Sequence, residues 1–224
     1  MSGAQYFITV SDDVIDKIAS QLSALNQFKR GGIFVHCSGA LSSLVLDSLK
    51  EKGHFTASAH PMHNFAHPKQ SIKTFPGTYC SLEGQKPAVD LIKRIFEKAG
   101  AHTFTIHAES KAIYHAAGVI ASNYLVTLTH IATQCLVSAG IEENTALNLI
   151  CQLTKGTVHN LETTQSCKQA LIGPLVRGDL NAIKCHLAHL DDKDSTLYKI
   201  LALRTLPLVD LPQEPLTELL KILE

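Results

Sequence analysis

An excess of charge of either sign is missing, because twenty Lys and Arg stand against twenty Asp and Glu and the formal net charge is zero. With no net field, attraction to nucleic acid or to an anionic membrane has no source, so the expected partners are small molecules or further copies of the chain. Paired cysteines are missing as well. Cys37, Cys80, Cys135, Cys151, Cys167 and Cys185 are scattered with no C-x-x-C among them, and the N-terminus lacks the basic-then-apolar order of a secretory leader. A reduced, cytoplasmic chain is expected. The apolar stretch 113–126 is interrupted by Ser122, Asn123 and Tyr124 and falls short of the about 20 residues a membrane span needs; it reads as a buried helix. Internal repeats and low-complexity segments are absent too. What is present is 45% hydrophobic residues in a chain of 224, enough for one sizeable core or for a small α/β unit plus a helical one.

The first half alternates strand and helix signals. "QYFITV" (5–10) is a β-rich run closed by the cap signal Ser11-Asp12-Asp13, after which Val14, Ile15, Ile18, Leu22 and Leu25 recur at helical spacing. "GGIFVHCSG" (31–39) repeats the pattern before the helix "LSSLVLDSLKEK". Further strands are expected at 54–61, 77–84 and 101–107, with a helix between the last two that has Pro87 near its start and Gly100 past its end. Such alternation predicts a mainly parallel sheet covered by helices. Beyond residue 108 the strand signals stop: one helix-period stretch runs to Gly140, and "EENTALNLICQLTKGTVHNLE", the break "LIGPLVRGD" and three shorter helical segments follow. The division expected is a sheet domain over 1–108 and an all-α domain over 109–224.

Several polar constellations call for an explanation. His60, His63 and His67 have a compact spacing that zinc sites use, but Pro61 and Pro68 break any helix that would align them, and no metal is expected. His60 alone, at the carboxyl end of a strand where ligands of open α/β sheets collect, is the candidate for lining a pocket, against a loop-capping role. His36-Cys37-Ser38-Gly39 ends the neighbouring strand. Small residues there admit a ring and Ser38 could hydrogen-bond it, although a plain strand-to-helix turn capped by Ser42 fits the same residues. At about 100° per residue, Lys111, His115, Gly118 and Ser122 share a stripe with Asn123 on its flank. Polar groups so placed need partners, since a buried unpaired one costs about 1–3 kcal/mol; a helix–helix or subunit contact is the alternative. In "GPLVRGD", Asp179 fits a helix N-cap, and Arg177 is placed to grip a carboxylate or phosphate, or to form an internal ion pair.

In this order, "VSDDVIDKIASQL", "VHCSGALSSLVLDSL", "SAHPMHNF", "KAIYHAAGVIASNYLVTL" and "ALIGPLVRGDLNAIKCHL" resemble the Rossmann-like proteins that carry the domain of unknown function 2520. That family is similar to the pyrroline-5-carboxylate reductase, ketopantoate reductase and 6-phosphogluconate dehydrogenase group. The resemblance implies a partial Rossmann-like sheet, the later strands only, followed by a 6-phosphogluconate-dehydrogenase-like helical domain that dimerises. It implies NADP or NAD as cofactor, beside Val10, Asp12, His36, Ser38, Gly39 and His60. It also implies a catalytic group on the long helix: Lys111 as proton donor or electrostatic stabiliser, Asn123 as orienting amide, and His115, one turn on from Lys111, as a second proton-transfer candidate. Ser122 and Arg177 would bind substrate. One departure is large. Members open with a strand, a glycine-rich turn and a helix; here no G-x-G-x-x-G occurs and the chain begins at what would be the fourth strand. Tight dinucleotide binding by this chain alone is therefore not expected, and the open edge at residues 6–10 should be covered by a second subunit, by the N-terminal residues or by a separate segment supplying the missing strands. Two functions stay in play: an NAD(P)-dependent oxidoreductase-like protein for a small, anionic carbonyl, imine or hydroxy compound, or a non-catalytic dimerising or ligand-binding module.

Overall fold

The computed structural model describes residues 4–25, 27–65 and 67–224. Two compact units divide it, Met1–Asn123 and Tyr124–Glu224. In the first, five strands form one sheet in the order β1 (Gln5–Ile8), β2 (Ile33–His36), β3 (Phe55–Pro61), β4 (Tyr79–Gly84) and β5 (His102–Thr105). Every pairing is parallel except β3 with β4. The mainly parallel sheet follows from the alternation of strands and helices. β1 lies at one edge, with Phe7 and Val10 exposed beside it.

The side-chain period of two sorts the strands between two cores. Ile33 and Val35 of β2, Ala57 and Ala59 of β3, and Cys80 and Leu82 of β4 pack against Ala88, Ile92 and Phe96 of a long amphipathic helix on one face. Ile8 and Phe34 face the other way, onto Ile15, Ala19, Leu46 and Leu49. Buried on both faces, β2 carries the continuous apolar run expected of an interior parallel strand. Helices α1 (Ile15–Ala24), α2 (Asp47–Glu51), α3 (Pro68–Thr74) and α4 (Lys86–Lys98) connect the strands, and α5 (Lys111–Ala121) follows the last of them. The α3 helix was not expected. Pro68, which argued against a helix through the histidines, occupies its first turn, where a missing N–H costs nothing.

The expected single helix to Gly140 is divided. α5 ends at Ala121, Ser122 takes φ −114° and ψ −68°, and α6 (Asn123–Ser138) begins anew. Two adjacent poor helix formers at the division, and a Ser122 hydroxyl occupied outside the helix, account for it. α5 falls within the sheet unit, so the compact units part after Asn123, while the strand signals stop at 108.

The second unit is all helical: the remainder of α6, then α7 (Glu143–Thr164), α8 (Cys167–Ala170), α9 (Pro174–Arg177), α10 (Leu180–His189), α11 (Asp192–Thr205) and α12 (Gln213–Leu223). Its core is Ile183, Ala202, Leu219 and Leu223, so the tail helix docks through two leucines one turn apart. Asp179 caps α10 by accepting the Ala182 N–H at 3.0 Å. No described helix is long and apolar enough to cross a membrane.

Candidate functional site

On the sheet face opposite α4, the side chains change character along the strands. Phe34 belongs to the apolar core, but His36, two residues on, does not; neither do its neighbours Thr56, Ser58 and His60 on β3 and Ser81 and Glu83 on β4. Register pairs His36 with Ser58, Ser58 with Glu83 and His60 with Ser81, so one polar patch crosses three strands. α5 meets that patch. Lys111, at its first position, is 1% exposed, and its Nζ donates to the Ser38 carbonyl at 2.7 Å and to the Ser58 hydroxyl at 2.8 Å. Both acceptors are neutral, so burial lowers the ammonium pKa from its usual 10.5 to about 8, with the Glu83 and Asp12 carboxylates opposing the fall.

The turn after β2 is tied down by side chains from elsewhere. Ser38 Oγ accepts the N–H groups of Ala40 and Leu41 at 3.2 and 3.0 Å and donates to Asp12 at 2.6 Å. Glu83 accepts both the N–H and the hydroxyl of Ser43, at 2.7 and 2.6 Å. The turn leading into α2 is therefore satisfied by Ser38 and Glu83, whereas Ser42 makes no side-chain cap. His36 sits at its centre: the Ser38 N–H donates to Nδ1 at 3.2 Å, which leaves Nε2 to donate to the Ser42 carbonyl at 3.1 Å. Burial holds its pKa below the usual value.

One turn along α5 the polar patch opens into a cavity of about 380 Å³ lined by His60, Met62, Asn64, His115, Ser122 and Asn123 among others. Gly39 decides how close its walls come. A Cβ there would stand 2.5 Å from His115 Cδ2 and 2.9 Å from His60 Nε2, so only glycine lets both rings lie against the turn. The two imidazoles are 6.1 Å apart, and His60 Nδ1 is 3.1 Å from the Tyr114 hydroxyl. Burial, then the charges of Lys111 and His115, depress the His60 pKa to about 4. Ser122 donates to Asn64 Oδ1 at 3.0 Å across the cavity mouth.

The structure thus gathers Asp12, His36, Ser38, Gly39, His60, Lys111, His115, Ser122 and Asn123 around one patch. Val10 lies exposed beyond β1, and Arg177 ends α9 in the second unit, exposed and without an ion pair among the described residues. The three clustered histidines do not converge: His60 and His63 both line the cavity, His63 Nε2 meeting the Thr74 hydroxyl at 2.9 Å, and His67 precedes α3. No three His, Cys, Asp or Glu side chains among the described residues are placed to hold a metal ion. Glu83, Ser58, Asn64 and Tyr114 escaped sequence reasoning. Glu83 had a signal, since a carboxylate inside a strand expected to be buried needs a partner.

Comparison with known proteins names the relatives of this arrangement. The family described as a domain of unknown function (DUF2520) matches residues 78–205, more than half of the chain. The chain belongs to the DUF2520 family. Among solved structures, the Thermotoga maritima protein TM1727 is 27% identical with a TM-score of 0.76, covering 93% of this chain and 79% of that one. The Bacteroides fragilis protein BF3122, classed provisionally as an NADP oxidoreductase, is 20% identical (TM-score 0.68; 88% and 73% covered). A reductive aminase from Aspergillus terreus in complex with NADPH and ethyl-5-oxohexanoate is 12% identical (TM-score 0.64; 91% and 73% covered). The fold that this DUF2520 member shares with these structures is a Rossmann-like sheet followed by a helical domain. No curated protein matches the sequence.

Proposed function

We propose that the chain is an oxidoreductase of the nicotinamide type, acting on a small carbonyl, imine or hydroxy compound held in the cavity beside His60 and His115. The observation that carries this reading is the convergence of the Gly39 turn, His60 and His115 at the carboxyl ends of β2 and β3, where open α/β sheets bind ligands. The missing Cβ of Gly39 leaves a shallow cradle, and the neutral His60 ring forms its wall; both fit the flat, uncharged ring of a reduced nicotinamide. When bound, that cofactor would supply a hydride to a carbonyl or imine, or take one from a hydroxy compound. His115 lines the cavity and is the group placed to move a proton to or from the substrate, and Asn123 orients it. Lys111 lies behind the wall with two protein acceptors, so its contribution is the field of its charge at the strand ends. The second unit acts as the dimerising element, supported by the exposed leucines and valines of α6 and α7.

Titration of NADPH fluorescence tests the reading. Weak quenching or enhancement by this chain, strengthened on a form extended by a strand, glycine-rich turn and helix, is the expected result; no binding by either form refutes it. In any form that turns over, His115→Ala should abolish the reaction and leave thermal unfolding within about 1 kcal/mol, as for a partly buried side chain that makes no hydrogen bond among the described residues.

A further inference from the structure

The two histidines at the strand ends use their ring nitrogens differently. Both nitrogens of His36 are spent on the chain, one accepting from the Ser38 N–H and one donating to the Ser42 carbonyl. His60 spends one. Its Nδ1 faces the Tyr114 hydroxyl at 3.1 Å, and its Nε2 has no hydrogen-bond partner among the described residues and lies over Gly39, on the cavity wall.

The proton on this ring is assigned by what Tyr114 can reach. The phenol meets Nδ1 at 3.1 Å, and it is also within reach of the Ser81 hydroxyl, which is buried and has no other partner among the described residues. A phenol is a good donor and a poor acceptor, whereas a neutral imidazole nitrogen without hydrogen is a good acceptor. If Nδ1 carried the hydrogen, the phenol would turn its proton to Ser81 and the buried Ser81 hydroxyl hydrogen would be left without an acceptor, at the cost of an unmade bond; with Ser81 donating to the phenol and the phenol donating to Nδ1, every donor is used. With the phenol donating, Nδ1 accepts, and the one hydrogen of the neutral ring sits on Nε2. The ring stays neutral because it is partly buried and Lys111 and His115 both stand near it, while Asp12 offsets them only in part. Among the described residues nothing accepts from that N–H, so the cavity presents a fixed donor.

Resting on the oxidoreductase reading of the cavity, we infer that Tyr114 is a positioning residue that locks His60 in the Nε2–H tautomer, and that this N–H selects a hydrogen-bond acceptor, the oxygen of a carbonyl or the nitrogen of an unprotonated imine. A protonated amine would set donor against donor and is rejected at this point. The substrate is therefore bound through its oxidised, acceptor end, with the His115 ring, whose centre is 6.1 Å from that of His60, beside the same end.

The tautomer can be read without cofactor or turnover, from long-range ¹H–¹⁵N correlations of the histidine rings in the intact chain. The expected result is a single Nε2–H pattern for His60 in the wild type and a mixture of tautomers in Tyr114→Phe, which keeps the aromatic contacts with His60 and Phe104, while the His36 pattern is unchanged. A wild-type His60 protonated at Nδ1 overturns the assignment whatever the variant does, and an unchanged His60 pattern in a folded Tyr114→Phe overturns the positioning role. Cyclohexanone should shift the His60 Nε2–H resonance and cyclohexylammonium should not; equal response or no response to cyclohexanone overturns the acceptor selection. Absence of NADPH binding would defeat the oxidoreductase reading and leave these spectra as they are.

Discussion

Replacing Lys111 by methionine removes a charge from a place that is 1% exposed while nearly filling the same volume. In the wild type the ammonium group meets only neutral acceptors, and its pKa falls from 10.5 to about 8. Below pH 8 the folded and unfolded chains both carry the proton, and the cost of burying the charge is present in full. Between pH 8 and 10.5 the folded chain releases the proton and the unfolded chain keeps it, so the contribution of Lys111 to stability rises with pH across that window. At ~1.4 kcal/mol per pKa unit, the fall from 10.5 to about 8 amounts to about 3 kcal/mol. The variant loses the bonds to Ser38 O and Ser58 Oγ, a pH-independent cost of about 1–3 kcal/mol, and gains relief from the buried charge. At pH 7 the two effects nearly cancel and wild type and Lys111→Met should unfold at similar urea concentrations. By pH 10.5 the wild type should be the more stable by about 3 kcal/mol more than at pH 7. The assay is urea denaturation of both proteins at half-unit steps from pH 7 to 10.5, followed by circular dichroism, with the difference between them as the quantity of interest. Titrations elsewhere in the molecule cancel in that difference. A gap that stays flat would refute the reasoning, because it would mean that the ammonium is solvated.

Gly39→Ala should displace the His60 and His115 rings and cost about 1–3 kcal/mol, as overpacking does; thermal unfolding and the His60 ring signals check it, and an unmoved His60 spectrum would contradict the 2.9 Å approach. Glu83→Gln keeps the shape but offers Ser43 one acceptor oxygen where two are used, so thermal unfolding should reveal a loss of about 1–3 kcal/mol. The chain should sediment as a two-fold dimer at micromolar concentration, because Val126 and Leu153, 70% and 68% exposed, belong to apolar faces too extensive for a lone helical unit; a monomer would refute that expectation.

The strands and the change to an all-helical second half were legible because both rest on local period, and β2 declared its burial by an unbroken apolar run. The face on which the site is built was half legible. In "HFTASAHP" the polar members Thr56, Ser58 and His60 alternate with Phe55, Ala57 and Ala59, and in "YCSLEG" Ser81 and Glu83 alternate with Cys80 and Leu82, so one face of each strand announced itself as polar. What local pattern cannot carry is register: that Ser58 stands beside Glu83, and that Lys111, 53 and 73 positions away from its partners, comes down between Ser58 and Ser38. Tyr114 was hidden for a similar reason, since its partner His60 lies 54 residues off. The division at Ser122 falls on the trio Ser122-Asn123-Tyr124, which interrupts the apolar run in the sequence and whose two weak helix formers also stop the helix.

The long reach of Lys111 also bears on the order in which the molecule is made. Every strand of the sheet is in place by residue 105, and the pairings of β1 with β2 and of β2 with β3 close shorter loops than the contacts of Lys111 do. The ends of β2 and β3, however, are pinned to each other by an amine that is synthesised after all five strands, and loops of more than fifty residues must close before it arrives. A nascent chain stopped short of α5 would therefore hold a sheet with its apolar half packed and its polar patch unlocked. The acceptors Ser38 O and Ser58 Oγ would stay wetted by water until the helix docks and expels it, so ligand competence is among the last properties that the folding chain acquires.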